Sequence, residues 1–373
     1  MMKKKWISVC LSIVVCASGA QARMPERKAE VRVAQVNPGP VETTFVNCAR
    51  GESLQAAIDA NASPLDITIS GVCVENVVIR DKDIALRGSS RRTLDGIRSV
   101  DAATPALTIR GSVLGTIENL AFSNSAGLAV SIRGASPTLA NCRFESNGGG
   151  GLQVIGGAFV TAESLTFTAN GSRSIGVSDA QFFCTGCDVS GNGFAVLANR
   201  GAIVSLLDSV VTGRRGIAAA DAGTLADIDC VSVDTPHPCG MTVTGVAAQA
   251  FGGGTASLYG AGDFTGQVAA DDRGTVELLG ARQLAGAQAG QGPPVNAVDF
   301  FGMIEAAAFL DVDPPIPSRL LSTVADHFAR VLVTDDTVLK GTLQCSSAAD
   351  AWLDATVIVN ANAVTGCEHA PAP

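Results

Sequence analysis

Ile117-Glu118-Asn119-Leu120-Ala121-Phe122 is answered 22 residues later, place for place, by Leu139-Ala140-Asn141-Cys142-Arg143-Phe144. Copies follow at Ala162-Glu163-Ser164-Leu165-Thr166-Phe167 and Cys184-Thr185-Gly186-Cys187-Asp188-Val189. Weaker ones stand at Leu206-Leu207-Asp208-Ser209-Val210-Val211 and Asp227-Ile228-Asp229-Cys230-Val231-Ser232. The steps of 22, 23, 22, 22 and 21 residues mark a repeat architecture. In each copy the first, fourth and sixth places are apolar or small and are expected to face inward. The third holds Asn, Asn, Ser, Gly, Asp or Asp, residues that tolerate a tight bend between two strands.

A second bend recurs at Asn147-Gly148, Asn170-Gly171 and Asn192-Gly193, followed by apolar residues in period two, as in Leu152-Gln153-Val154 and Ile175-Gly176-Val177. A coil of short strands and bends cannot bury its apolar face alone. Stacked coils can, at about 4.8 Å per step. The expected fold is therefore all-β, a single parallel β-solenoid. Leu120, Cys142, Leu165, Cys187, Ser209 and Cys230 would form one interior ladder, with Phe122, Phe144, Phe167, Val189 and Val211 beside it. Asn147, Asn170 and Asn192 would exchange side-chain amide hydrogen bonds between coils. The period and the missing Asn/Leu consensus disfavour hexapeptide and leucine-rich repeats.

Composition agrees. Hydrophobic residues make up 47% of the 373 and charged ones 16%, which excludes a solvated disordered chain. The 41 Gly show no three-residue period, which excludes collagen. Residues 1–22 read as a secretory signal, with Lys3 to Lys5, an apolar run from Ile7 to Ala17, and Ala20-Gln21-Ala22 as the cleavage site. Lipid attachment at Cys16 is disfavoured by the bulk of Val15 before it. No stretch is long enough for a membrane helix. Export makes the expected location secreted or periplasmic. Cleavage would leave 23 basic and 35 acidic residues, a net of −12. That charge opposes nucleic-acid binding, and it opposes a polyanionic sugar unless a metal or a local Arg cluster intervenes.

Nine cysteines would remain, and an oxidising compartment allows them to pair. Spacing favours Cys48 with Cys73, Cys184 with Cys187, Cys230 with Cys239, and Cys345 with Cys367, leaving Cys142 as a buried thiol. The CxxC at 184–187 lacks the βαβ context of a redox motif and the second ligand pair of a zinc ribbon.

On these residues the chain resembles the right-handed parallel β-helix proteins of the pectin-lyase-like superfamily. Val46-Asn47-Cys48-Ala49-Arg50-Gly51-Glu52-Ser53-Leu54-Gln55-Ala56-Ala57-Ile58-Asp59 is similar to their capping segment. There a short amphipathic helix, with Leu54, Ala57 and Ile58 on one stripe, covers the first coil. Gly71-Val72-Cys73-Val74-Glu75-Asn76-Val77 and Ile84-Ala85-Leu86-Arg87-Gly88 match strands common among exported bacterial members. The resemblance spans roughly residues 45–240. It implies the right-handed β-helix with an N-terminal capping helix. Its members include lyases, hydrolases, esterases, epimerases and proteins without catalysis. Residues 23–44, with Pro25, Pro38 and Pro40, read as a flexible linker. The helix is expected over 45–365, regular over about 67–240 and irregular after 245, with 366–373 as a tail.

The superfamily's catalytic blocks are missing. There is no Gly-His-Gly or Asn-Thr-Asp, no esterase set of paired Asp with Gln and Arg, and no lyase block. Asp234-Thr235-Pro236-His237-Pro238 only echoes an epimerase motif. His237, His327 and His369 lack paired ligand spacing, and no metal or cofactor is expected. Asp208 and Asp229 take equivalent places on adjacent coils in the repeat register. They are the candidate acid/base pair, with Asp227 nearby. The plainer reading makes them bend residues of a column that also holds Asn119, Asn141, Ser164 and Gly186. Arg214-Arg215 breaks the bend pattern and is the candidate binder of a sugar carboxylate. A solvated loop is the plainer reading there, as for Arg91-Arg92, Asp271-Asp272 and Asp335-Asp336. Aromatic platforms for sugar are scarce: Trp352 and Tyr259 are the candidates, and most Phe are assigned to the interior. The favoured function is a non-catalytic secreted or envelope solenoid used for adhesion or as a structural surface, with an extracellular polysaccharide as the candidate partner. The alternative is a polysaccharide lyase or glycoside hydrolase.

Overall fold

A computed structural model describes residues 41–258, apart from 90–94, 102, 112, 231–238 and the side chain of Asn192. Beyond 258 it describes only the backbone of strands, as far as Val364–Thr365. The expected signal segment, Cys16, Arg91-Arg92, the three His and the pairing of Cys345 with Cys367 lie outside these limits, as do the side chains of Tyr259 and Trp352.

The chain is a right-handed parallel β-helix. One sheet of 14 strands runs from Glu42–Asn47 to Asp350–Leu353, and every neighbouring pair is parallel. Each regular coil continues through a short strand and a longer one in the second sheet, such as Ala121–Ser123 and Leu128–Arg133. Strand pairing realises the repeat directly. Ile67, Leu86, Ile117, Leu139, Ala162, Cys184, Leu206 and Ile228 stand in register in the first sheet, all buried. Ile97, Phe122, Phe144, Phe167, Val189, Val211 and Met241 do the same in the second. The rings of Phe144 and Phe167 stack with centroids 4.5 Å apart. Each fully buried Phe, Leu or Ile contributes about 1.5–3 kcal/mol relative to exposure.

The expected bend residues adopt the left-handed conformation: Asn119, Asn141, Ser164 and Asp208 have φ of 56°, 52°, 54° and 47°. The fourth copy uses Gly186 (φ 64°), and the Cys184–Cys187 disulfide closes that bend. Cys48–Cys73 and Cys230–Cys239 are also bonded, and Cys142 is a buried free thiol.

The register corrects three expectations. In the last copy Ile228, not Asp227, pairs with Leu206, so Asp229 aligns with Leu207 and Cys230 follows Asp208 in the bend column. Alternation decides this, because the interior accepts Ile228 while burying a carboxylate there is costly. Asn192 leaves the backbone column of Asn147 and Asn170, since Asn170 pairs with Gly191. The expected linker is also strand from Glu42 onward. The coil from Ile84 to Gly115 is longer than its neighbours, 31 residues by register.

The helix α1 (Leu54–Ala60) buries Leu54 and Ile58 against the end of the stack. Ser53 Oγ accepts from Ala56 N–H, and the Glu75 carboxylate accepts from the Leu54 and Gln55 N–H groups at 2.7 and 3.3 Å. These meet the orphan donors of the helix N-terminus. Lys82 donates to the Ile58 and Asn61 carbonyls at the other end. Gln55 meets the backbone of Val78 as a strand would, accepting its N–H at 2.7 Å and donating to its carbonyl at 3.2 Å. That pairing covers an edge that would otherwise be open.

Candidate functional site

Asp227 lies on the first sheet with its carboxylate accepting from Ser205 Oγ at 2.8 Å. Burial pushes its pKa up to about 6, with Asp229 adding to the rise and the Ser205 bond opposing it. Asp229 is raised by burial and then by Asp208, whose N–H donates to the Asp229 carbonyl at 2.8 Å. The three acids are therefore neighbours, with Asp208 at the bend and the others on the strand.

Arg214 and Arg215 fall on the strand Val210–Ala220 of the second sheet, away from the strand that carries Asp227 and Asp229. Arg215 covers the ring of Phe194 at 4.9 Å. Strand register places Arg173, Phe194 and Arg215 in one column on three successive coils.

That column leads to a groove the motif reading did not reach. A hollow of about 470 Å³ opens on the second sheet, lined by Arg133, Gln153, Arg173, Ser178, Asn199 and Arg200 among others. Its origin is local. The strands Leu128–Arg133, Gly150–Ile155, Arg173–Ser178 and Asp188–Asn199 send Val130, Leu152, Ile175 and Val196 inward, so the alternate residues line its floor. Gly176 and Gly156 make room for arginine stems. A Cβ on Gly176 would collide with Arg173, and one on Gly156 would touch Arg133 Cγ at 3.5 Å.

Arg173 Nε and Asn199 Oδ1 are shut from water and have no hydrogen-bond partner. A buried polar atom left so costs about 1–3 kcal/mol. One is a donor and the other an acceptor, and both belong to residues lining this groove. Asp179 is the only carboxylate among the lining residues, which include no His or Cys.

A second hollow of about 180 Å³ lies on the first-sheet side of the same turns, lined by Phe159, Asp179, Gln181 and Gly201 among others. Phe159 is 43% exposed, its ring 5.6 Å from that of Phe183. Phe122, Phe144 and Phe167 are interior as assigned, and Phe159 is one of the Phe left outside. The signal was present in Ala158-Phe159-Val160-Thr161-Ala162, whose alternation puts Phe159 outside. The arginine groove gave no such signal, because Arg133, Arg173 and Arg200 sit at unlike places in their coils.

Cys48, Cys73 and Glu75 bring sulfur and carboxylate atoms together, but the two sulfurs are bonded to each other. No helix among the described residues is long and apolar enough to cross a membrane.

The family model described as right handed beta helix region matches residues 58–230. No curated protein matches the chain. Among solved structures it is similar to the Dettilon tailspike protein (gp208), with 10% identity and a TM-score of 0.30 over 80% of this chain and 63% of that one. It thus spans less than two thirds of the tailspike chain. It is also similar to the A-module of the Azotobacter vinelandii mannuronan C-5 epimerase AlgE4, with 12% identity and a TM-score of 0.30 over 88% of this chain and all of that one. Likeness at that level carries no argument about function. The parallel two-sheet coil and the matched span make this chain a right-handed parallel β-helix protein.

Proposed function

We propose that this protein is a non-catalytic exported solenoid that binds an acidic extracellular polysaccharide in the groove of Arg133, Arg173 and Arg200. The observation that carries the reading is the unmatched donor on Arg173 and unmatched acceptor on Asn199 in one polar groove. A sugar hydroxyl both donates and accepts, so neighbouring hydroxyls suit such a pair once the side chains turn toward them. Three guanidinium groups on a chain of net charge −9 supply the local basic cluster that an acidic glycan requires. The lining holds one carboxylate, where hydrolysis of a glycosidic bond ordinarily uses two. Asp208, Asp227 and Asp229, the residues of the enzyme alternative, line neither hollow. Three disulfides favour an oxidising compartment, secreted or periplasmic.

The test is retention on immobilised polygalacturonate, alginate and dextran, with the soluble fractions assayed for reducing ends and unsaturated sugars. The expected result is retention on the acidic polymers only, lost on Arg173→Ala, with no new ends. Product release that disappears on Asp208→Asn/Asp229→Asn would establish the enzyme alternative instead.

A further inference from the structure

We infer that the glycan does not run only along the second sheet but crosses the turn ridge beside it, placing a sugar face on Phe159 and Phe183. This rests on the groove reading above and adds a second subsite to it.

The two hollows share Asp179, and two adjacent pairs divide between them: Gly156 with Gly157, and Arg200 with Gly201. Residues 156–158 are all that separate the strand ending at Ile155 from the one starting at Phe159. Three residues reach at most about 10 Å, so the subsites lie within the span of a short oligosaccharide. The ridge is also low. A Cβ added at Gly157 or at Gly201 would meet nothing within 4 Å. Side chains at these two places would stand between the hollows, and glycine supplies none; Asp179, exposed on the coil between them, lines both hollows.

The chemistry on the two sides differs in the way a sugar ring does. The groove side offers guanidinium and amide groups for carboxylate and hydroxyl edges. The other side offers an exposed ring at Phe159, a second ring 5.6 Å away at Phe183, and Gln181 in the same hollow. Aromatic faces pack against the apolar C–H face of a sugar, while its hydroxyls keep partners at the rim. Phe159 and Phe183 lie on successive coils, so the apolar patch presents a surface and not a lone side chain. A ligand that used the arginines alone would leave this patch in water.

The experiment uses the full chain and two probes, galacturonic acid and hexagalacturonate, with dissociation constants from calorimetry. Phe159→Ala removes the platform. Gly157→Asn raises the ridge, and its φ of +75° is one that Asn tolerates, in open space, so the fold is kept. Thermal unfolding checks both variants. The wild type should bind the hexamer at least tenfold more tightly than the monomer. Both variants should lose most of that gain with monomer affinity unchanged, and Arg173→Ala should weaken both probes. Full hexamer affinity in both ridge variants would overturn the crossing and leave the groove reading standing. Failure of the wild type to bind either probe would overturn the groove reading and the crossing with it.

Discussion

The side chain of Arg173 lies across the backbone of Gly176, three residues further along the same strand, where any Cβ would collide with it. The groove thus depends on a missing side chain as much as on the charge it holds. The φ of Gly176 is not of the left-handed kind, so alanine is compatible with the strand. Gly176→Ala should change stability by no more than about 1 kcal/mol, because the obstructing atoms belong to a flexible side chain. It should weaken acidic-glycan binding about tenfold, approaching Arg173→Ala, which corresponds to about 1.4 kcal/mol. Calorimetric titration beside a thermal melt checks both halves. Unchanged affinity would show that the pose of Arg173 is not needed.

Asn147 holds three neighbouring coils together. Its side-chain amide donates to the Phe122 carbonyl at 2.9 Å and to Asn170 Oδ1 at 3.0 Å, and its oxygen accepts the Ser125 N–H at 3.1 Å. All of this is buried, and Asn170 repeats the pattern by donating to the Phe144 carbonyl at 2.8 Å. Asn147→Ala strands a buried carbonyl and a buried N–H in one step. We expect a loss of roughly 2–4 kcal/mol in chemical denaturation. A loss below about 1 kcal/mol would mean that water replaces the amide.

Asp227 makes stability depend on pH. Its folded pKa of about 6 lies above the ordinary 3.8, so the folded state holds the proton more tightly than the unfolded one. Stability from this group is therefore highest below about pH 4 and falls as pH rises to about 6, above which the penalty stays constant. Asp227→Asn removes the penalty while keeping a polar partner for Ser205. It should stabilise the protein by roughly 1–3 kcal/mol at pH 7.5 and by little at pH 4. Denaturation midpoints at the two pH values decide it, and equal gains at both would refute the assignment.

Cys142 should be inert while the protein is folded. Burial pushes its thiol up to about 12, and it donates to the Ile117 and Ala140 carbonyls, both at 3.4 Å. The thiolate is the reactive form, and almost none exists at pH 8. Iodoacetamide with peptide mapping should find Cys142 unmodified in the native protein and fully modified in guanidinium. Native labelling would place the thiol nearer solvent.

The coil was legible because it is periodic. Ile117, Leu139 and Leu206 recur at nearly constant steps, and the bend at Asn119, Asn141 and Asp208 needs residues that accept a positive φ. The capping helix was legible for the same kind of reason, through Ser53 and the stripe of Leu54, Ala57 and Ile58. The fault lay where the pattern weakens. Asp227-Ile228-Asp229 can be aligned two ways by residue type, and only pairing with Leu206 and Leu207 decides between them.

Local chemistry thus determined the parallel solenoid, its interior ladders up to Ser209 and Val211 and its bends up to Asp208, and it favoured three of the cysteine pairs that form, since each depends on residues at fixed spacing. What only the tertiary structure decided is the outer surface. Arg133, Arg173 and Arg200 are far apart in the chain and follow no repeat. They meet because coils stack at about 4.8 Å, which turns steps of some twenty residues into contacts. The same stacking leaves Arg173 Nε and Asn199 Oδ1 without partners in one groove and puts Phe159 beside Phe183 across a glycine ridge.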